Sequence, residues 1–371
     1  MGLEASRKSE MIGDQGSPIH VMGMSAQGPR DPSFRIRVAL PSQALAAHGI
    51  AVEQLPLFSG EEVNRFRGTG SIGKAAILAS SRRRLLRELR SDNHKASIVL
   101  VQRRIDLSPS LALERLATGG RRLIYDVDDA VWLSGRQANG HYLSFLKGAA
   151  RKVRWLAERA AHIVVGSEIL ADYMSRYRAT ISVVPSLIDT ATYVTRVHEE
   201  LPVITLGWIG SPTTARYLNH VGPTIERFAS TSKRPVRLVV VGGEAPRLHG
   251  VEVHQRVWSP ASERVALAET DIGLMPLEDT MWSRGKCAYK ALQYMACGIP
   301  PLVSKVGVSA NVVGDAGCVA AGDLQWLEAL HLLADDPNLR SRLGTIGRRR
   351  IEQDFSFARW IPVLAEILRG A

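Results

Sequence analysis

The sequence predicts an α/β protein built from two doubly wound, Rossmann-like domains. Short runs of β-branched and other apolar residues alternate with amphipathic helical stretches along most of the chain. This alternation is typical of parallel strands that helices cover on both faces. It occurs in two successive halves, and 371 residues are enough for two domains of ordinary size.

Composition indicates a globular protein of a reducing compartment. With 45% hydrophobic and 22% charged residues, the chain differs from disordered and collagen-like sequences. Its three cysteines, Cys287, Cys297 and Cys318, have no CxxC spacing, which argues against a disulfide framework or a thiolate zinc site. No apolar run approaches the roughly 18 residues of a membrane span, and residues 1–18 lack the apolar stretch of a signal peptide. We therefore expect a cytoplasmic protein, with residues 1–16 as a disordered polar tail.

The N-terminal half is predicted to form the first sheet, before a connection near 185–201. Its predicted strands are Ile19–Met24, Ala51–Leu57, Ala96–Val101, Arg122–Asp126, His162–Val165 and Ile181–Val184. Its predicted helices are Phe34–His48, Ile72–Arg90, Ser110–Ala117, Leu143–Ala160 and Glu168–Tyr177.

The C-terminal half repeats this rhythm. Its predicted strands are Ile204–Ile209, Arg237–Val241, Val251–His254, Ile272–Met275 and Pro301–Val303. Its predicted helices are Thr213–Asn219, Gly222–Ser230, Ala261–Glu269, Lys286–Ala296, Leu324–Ala334 and Pro337–Gln353. Ligands of such sheets bind at the carboxyl ends of the strands, so the loops there are the candidate functional regions.

Two loops of the second half have features of phosphate sites. In the first, Gly210 precedes a helix that Ser211 or Thr213 would cap, and free N–H groups at a helix start favour phosphate; a capped turn without a ligand is the alternative. In the second, Lys286 and Lys290 flank a predicted helix N-terminus together with Arg284. Cations are disfavoured at that end, and a bound anion would offset their cost; a solvated basic turn is the alternative.

A third loop, in the first half, carries three carboxylates: Asp126, Asp128 and Asp129. Acidic groups this close repel one another unless something positive or hydroxyl-rich faces them. A metal-binding pair, a set of acceptors for substrate hydroxyl or ammonium groups, and an exposed turn that caps a helix are the three interpretations.

At these residues the chain resembles GT-B-fold glycosyltransferases, specifically glycosyltransferase family 4 (group 1). The resemblance depends chiefly on residues 285–313, which read GKCAYKALQYMACGIPPLVSKVGVSANVV. Residues 164–167, 184–189 and 271–277 add to it.

The resemblance implies transfer of a sugar, with retention at the anomeric carbon, from a nucleotide-diphosphate donor such as a UDP- or GDP-sugar. It implies a cleft between an acceptor-binding domain at 17–198 and a donor-binding domain at 199–354, with a final helix in 355–371 that crosses back to the first domain. Such enzymes do not usually need a metal, so the acidic run is interpreted as acceptor-binding. No permanently bound cofactor is expected. The acceptor would be a glycan, a lipid-linked molecule or a small molecule.

The candidate site residues follow from the loops and the resemblance together. Those expected to bind the donor are Gly210, Ser211, Arg216, Trp258, Lys286, Cys287, Ala288, Tyr289, Lys290 and Gln293. Asp126, Asp128 and Asp129 are the candidate catalytic residues, which would orient the acceptor. Gly28, Arg35 and His141 are the candidate acceptor-binding residues; His141 is also a candidate general base, with an ordinary surface histidine as the alternative.

The chain departs from the family's Glu-x7-Glu element at both ends. Gly285 stands where the first glutamate is expected and Gln293 where the second, which holds the donor ribose, is expected. Arg216 is only an approximate substitute for the family's arginine–lysine pair. A catalytically weak binding scaffold is therefore the alternative to an active enzyme.

The remaining positive charge raises a second question about partners. There are 47 Lys and Arg against 36 Asp and Glu, a net charge of +11. The helix at 72–90 places Arg83, Arg87 and Arg90 at i, i+4 and i+7, beside Arg82 and Arg84. Docking on anionic lipid and a solvated flank are both open. Nucleic acid is disfavoured, since no aromatic residues interleave with the charge.

Overall fold

The computed structural model describes residues 18–91, 95–133 and 148–370. Two six-stranded sheets, each wholly parallel, form the two halves. Their strand orders are β2-β1-β3-β4-β5-β6 and β12-β11-β10-β7-β8-β9. The prediction of two doubly wound domains is thus confirmed.

The strands are mostly buried β-branched runs, as the sequence predicts. They are β1 Ile19–Ser25, β2 Ile50–Pro56, β3 Ile98–Gln102, β4 Arg122–Val127, β5 His162–Val165, β6 Thr180–Val183, β7 Ile204–Ile209, β8 Val236–Val241, β9 Val251–Arg256, β10 Ile272–Met275, β11 Pro301–Ser304 and β12 Cys318–Ala320.

Helices cover both faces of each sheet. They are α1 Pro32–Phe34, α2 Leu40–Ala46, α3 Gly60–Gly68, α4 Ser71–Arg90, α5 Ala112–Thr118, α6 Ala149–Ala157, α7 Glu168–Met174, α8 Pro212–Thr231, α9 Pro260–Glu269, α10 Met281–Arg284, α11 Tyr289–Ala296, α12 Ser309–Val313, α13 Asp323–Asp335, α14 Pro337–Arg350 and α15 Phe357–Arg369. Two π-helical turns continue this set, Arg35–Ala39 between α1 and α2 and Ile351–Phe355 after α14.

Some elements differ from the prediction. The sequence prediction lacks α3, the short helices α10 and α12, and β12. The two helices expected at 213–230 are the single helix α8, which runs through Pro223. An interior proline costs about 3 kcal/mol, but Leu218, Ile225 and Phe228 are buried on both sides of it and keep one continuous face against the sheet.

The helix expected from Lys286 begins only at Tyr289. Its N-cap, Ala288, has φ +52°, a left-handed conformation that side chains other than glycine rarely adopt. Lys286 and Cys287 therefore lie in the loop before α11. The rest of α11 is fixed on the sheet by Tyr294, which occupies the space beside Gly273 and donates from its hydroxyl to the Gly207 carbonyl at 3.1 Å.

The C-terminal helix returns to the first domain. Ile361, Leu364 and Leu368 of α15 are buried in one apolar cluster with residues of the first sheet and of α2. Where the chain makes this return, Ile188 and Ser356 form an isolated parallel bridge. No helix in the described ranges has the length and apolar character needed to cross a membrane.

Candidate functional site

The two domains meet where the turn after β4 lies against the loop between α10 and α11. Gly285 packs tightly against the first domain, since a methyl group there would lie 2.7 Å from the Ala130 Cβ atom. The Cys287 thiol donates to the Asp128 carbonyl oxygen at 3.1 Å, and its burial raises the pKa of Cys287. Glycine at 285 thus permits a domain contact that a glutamate would prevent, and the Cys287 side chain faces the opposite domain.

Asp126 forms a buried ion pair with Arg37. Its two carboxylate oxygens accept from Arg37, at 3.0 Å from Nε to Oδ1 and 2.6 Å from Nη2 to Oδ2. Arg37 also donates to the carbonyl oxygens of Val184 and Pro185, each at 2.7 Å. Because Asp126 is only 3% exposed, it serves to anchor the first helical segment to the chain that leaves β6. This pairing argues against a contact between Asp126 and an acceptor, whereas the roles expected of Asp128 and Asp129 stay predictions.

Asp128 and Asp129 lie at the cleft and share one partner, Arg103. Arg103 Nε donates to Asp128 Oδ1 at 2.6 Å, and the same guanidinium donates to Asp129. Gln102 adds a bond to Asp128 Oδ1 at 2.9 Å. Burial alone would raise the pKa of Asp128, but the charge and hydrogen bonds of Arg103 lower it below its usual value. Asp128 is therefore an ionised acceptor of hydrogen bonds and a weak base.

Lys286 and Lys290 approach this acidic pair from the second domain. Lys286 Nζ lies 3.7 Å from Asp129 Oδ1. Lys290 Nζ lies 5.3 Å from the centre of the Trp208 ring, and its Cε atom occupies the space that a side chain at Gly210 would need. Burial, together with the nearby charge of Lys286, lowers the pKa of Lys290 to about 7. Lys290 thus lies beside Gly210, and Lys286 lies beside Asp129 of the first domain.

Arg284 is placed elsewhere. Its exposed guanidinium pairs with Asp279, with Nε 2.6 Å from Oδ1. Arg284 therefore does not join Lys286 and Lys290, although the sequence groups the three.

Two helix N-termini open onto the same region. Ser211 caps α8 through a reciprocal capping box with Thr214. By contrast, no side chain caps the start of α11 at Ala288 and Tyr289, and an uncapped start offers N–H groups to an anion. Arg216 lies over the ring of its neighbour Tyr217, at 5.2 Å from the ring centre.

Polar side chains cluster around Glu263 in the cleft, and we call this cluster the polar wall. Glu263 was not among the predicted site residues. Gln293 Nε2 donates to Glu263 Oε1 at 2.8 Å, and Trp258 Nε1 donates to Oε2 at 2.7 Å. Gln293 also donates to the Tyr193 hydroxyl at 3.2 Å. Arg35 reaches the wall from the first domain, with its guanidinium 4.2 Å from the centre of the Trp258 ring and 3.9 Å from Glu263 Oε2.

The expected acceptor-binding residues are thus dispersed. Arg35 contacts the donor-side residues Trp258 and Glu263 instead of the acidic pair. Gly28 lies against the chain after β2, where a methyl group would be 2.9 Å from the Phe58 carbonyl oxygen. His141 lies outside the described residues.

Three residues that shape this region, Arg37, Arg103 and Glu263, were not among the predicted site residues. Arg103 directly follows β3, and Glu263 lies in the first turn of the helix after β9, so the rule that ligands bind at the carboxyl ends of strands could have found both. Arg37 has no such signal, because its partner Asp126 lies 89 positions away.

Comparison with known families supports a glycosyltransferase domain. Residues 203–336 match a family model described as "Glycosyl transferases group 1". No curated protein sequence matches the chain significantly.

Several solved structures resemble nearly the whole chain. Sucrose-phosphate synthase from Thermosynechococcus elongatus aligns with a TM-score of 0.67 and 12% identity over 95% of this chain and 98% of its own. Anabaena HepE, solved with UDP and glucose, aligns at 0.65 and 13% over 95% and 100%. WaaG, a glycosyltransferase of lipopolysaccharide biosynthesis, aligns at 0.60 and 17% over 95% and 100%. The chain thus has the GT-B fold, and its residues 203–336 are similar to group 1 glycosyltransferase domains.

Proposed function

We propose that the protein transfers a glycosyl group from a nucleotide-diphosphate sugar to an acceptor hydroxyl, with retention of the anomeric configuration. The observation that carries this proposal is that Lys290, beside Gly210, and Lys286, 3.7 Å from Asp129, bring two cations to the cleft between the domains. Two cations suit a diphosphate, and ionised carboxylates suit the hydroxyl groups of a sugar acceptor.

The diphosphate is the leaving group of such a reaction, and its charge grows as the glycosidic bond breaks. Lys286, Lys290 and the uncapped N–H groups at the start of α11 are fixed donors in a partly dehydrated cleft. Fixed donors of this kind supply the largest single contribution to many reactions. We assign the donor diphosphate to this group.

Asp128 and Asp129 would orient the acceptor. The lowered pKa of Asp128 makes it a poor base, which agrees with a retaining reaction in which the donor phosphate takes the acceptor proton. The protein then contributes position and charge. The acceptor is a glycan, a lipid-linked molecule or a small molecule.

The primary experiment is a donor screen. UDP-, GDP- and ADP-sugars are incubated with the protein, while thermal stabilisation reports binding and mass spectrometry reports hydrolysis or transfer. Lys286→Ala should reduce donor-dependent turnover about tenfold or more, the scale of one charge-stabilising group, while exposed Lys305→Ala should not.

Binding without turnover would favour a silent scaffold. Loss of activity on chelation, restored by Mn²⁺ or Mg²⁺, would contradict a metal-independent reaction.

A basic face on α4 supports a proposal of peripheral contact with anionic lipid. Arg82 pairs with Asp106, and Arg84 with Glu62 and Glu88, so these two arginines act within the domain. The exposed arginines of the helix are Arg83, Arg87 and Arg90. In flotation, anionic vesicles should carry the unaltered protein to the top of the gradient, and they should not carry the variant in which these three arginines are alanine. Equal recovery of the two proteins would contradict the contact.

A further inference from the structure

Glu263 is a nearly buried carboxylate in the wall of the cleft. It is 8% exposed, and two donors fix it: Gln293 of α11 on Oε1 at 2.8 Å and Trp258, in the loop before α9, on Oε2 at 2.7 Å. Both donors are uncharged. The nearest cation, Arg35, lies 3.9 Å from Oε2, beyond hydrogen-bond distance.

This arrangement leaves part of the carboxylate's bonding capacity unused. An ionised carboxylate has about four acceptor positions, and the bonds from Gln293 and Trp258 occupy two. Burying a charge is costly unless it is fully hydrogen-bonded. Two adjacent hydroxyl groups, each donating to the carboxylate, would complete its coordination.

The order of residues along the cleft indicates which hydroxyls these are. Trp258 is next to Gly242, which in turn touches Gly210. Gly210 is next to Lys290. A diphosphate at Lys290 therefore has Glu263 on one side and the acidic pair of the first domain on the other. Of the two groups that a donor diphosphate joins, the reacting sugar must point toward the acceptor, so the nucleoside points toward Glu263.

We propose that Glu263 binds the ribose 2′,3′-diol of the donor, with the Gln293 amide holding its carboxylate in place. The assignment rests on the proposed function, because it requires a nucleoside diphosphate in the cleft. It places the carboxylate for the diol on α9 and explains how an amide is accommodated at 293: a glutamate there would lie directly against Glu263.

The test measures a ratio of affinities. Dissociation constants of UDP and GDP, and of their 2′-deoxy forms, are determined by calorimetry for the unaltered chain, Glu263→Gln and Glu269→Gln. Glu269 is the matched control, since it lies on the same helix and pairs with Arg256. A hydroxyl hydrogen bond to a charged group predicts that the unaltered chain binds the ribonucleotide about tenfold more tightly. In Glu263→Gln this ratio should fall below about threefold, and in Glu269→Gln it should persist.

The outcomes separate the two proposals. If Glu263 is only structural, its replacement changes both affinities equally and leaves the ratio intact, which would overturn the assignment. A ratio near one in the unaltered chain would overturn it too, and this measurement does not depend on a variant that folds. If no nucleoside diphosphate binds, the proposed function itself fails.

Discussion

The Lys290 amine changes its charge near neutral pH, because its surroundings lower its pKa. An exposed lysine has a pKa of about 10.4, whereas burial and Lys286 bring that of Lys290 to about 7. A bound diphosphate favours the charged form, because it places negative charge beside the amine. The proposed binding of the donor diphosphate would therefore be coupled to proton uptake at this residue.

This coupling predicts a pH dependence of UDP binding. Below pH 7 Lys290 is already charged, whereas above pH 7 it must capture a proton on binding. Affinity should therefore fall up to about tenfold per pH unit above 7, and calorimetry in buffers of different ionisation enthalpy should show proton uptake. Lys290→Arg keeps its charge and should flatten the profile; an identical slope in that variant would assign the titration to another group.

Replacing Asp126 with asparagine should affect stability, whereas the same change at Asp129 should affect transfer. Asp126→Asn leaves Arg37 buried without its counter-charge and should lower the free energy of unfolding by about 3–5 kcal/mol, as urea denaturation measures. Asp129→Asn should change that free energy by at most about 1 kcal/mol, because Arg103 keeps Asp128, but should reduce transfer to the acceptor. Equal stability losses would contradict the division between anchor and site.

The sequence predicts that positive groups face the three aspartates, but it does not predict which aspartate each group contacts. Three carboxylates in four positions correctly indicate that positive groups face them. Which group each aspartate meets depends on Arg37 and Arg103, which other parts of the chain bring to the turn. Likewise, Gln293 and Lys290 are readable from the resemblance, whereas the bond between Gln293 and Glu263 joins residues 30 positions apart.

At the scale of elements, α15 shows how the last part of the chain stabilises the first domain. Leu364 is buried among residues of the first sheet and α2. Leu364→Ala should therefore lower the free energy of unfolding by about 2–5 kcal/mol. Leu332→Ala on α13, where the leucine is 54% exposed, should change it by about 0.5 kcal/mol or less. Similar melting curves for the two variants would mean that α15 is not part of the folded core of the first domain.

Most elements could be predicted because the hydrophobic periodicity and the glycine and proline residues at element ends indicate the same bounds. The strands at 162–165, 204–209 and 272–275 have the predicted bounds. The start of α11 could not, because Ala288 gives no sign of a left-handed residue; surrounding packing imposes that conformation. Near Pro223 the sequence predicted a break that the structure does not have. A proline normally ends a helix, but the buried face of α8 keeps the helix continuous.

At the scale of the whole molecule, Gly285 sets how closely the domains approach. Gly285→Glu should force Ala130 away and separate Lys286 from Asp129, now 3.7 Å apart. X-ray scattering should report a larger radius of gyration, and transfer should fall. Gly322→Glu is the control, since a side chain there meets nothing within 4 Å. An unchanged radius with full activity would contradict a role for Gly285 in closure.

The presence of two domains could be predicted from sequence, but their contact could not. The resemblance implies a cleft with donor and acceptor on opposite sides. It gives no reason why the family's first glutamate is absent. The structure supplies one, because the position faces the backbone of the other domain.

The bridge between Ile188 and Ser356 has a consequence for motion. The chain passes between the domains twice, and the two passages are joined there: Ile188 N donates to the Phe355 carbonyl oxygen at 2.8 Å, and Phe357 N to that of Ile188 at 3.0 Å. Segments tied together in this way cannot slide independently, so a relative movement of the domains is a rotation about this point. Such a rotation would change the distance between Lys286 and Asp129, now 3.7 Å, and with it the width of the cleft.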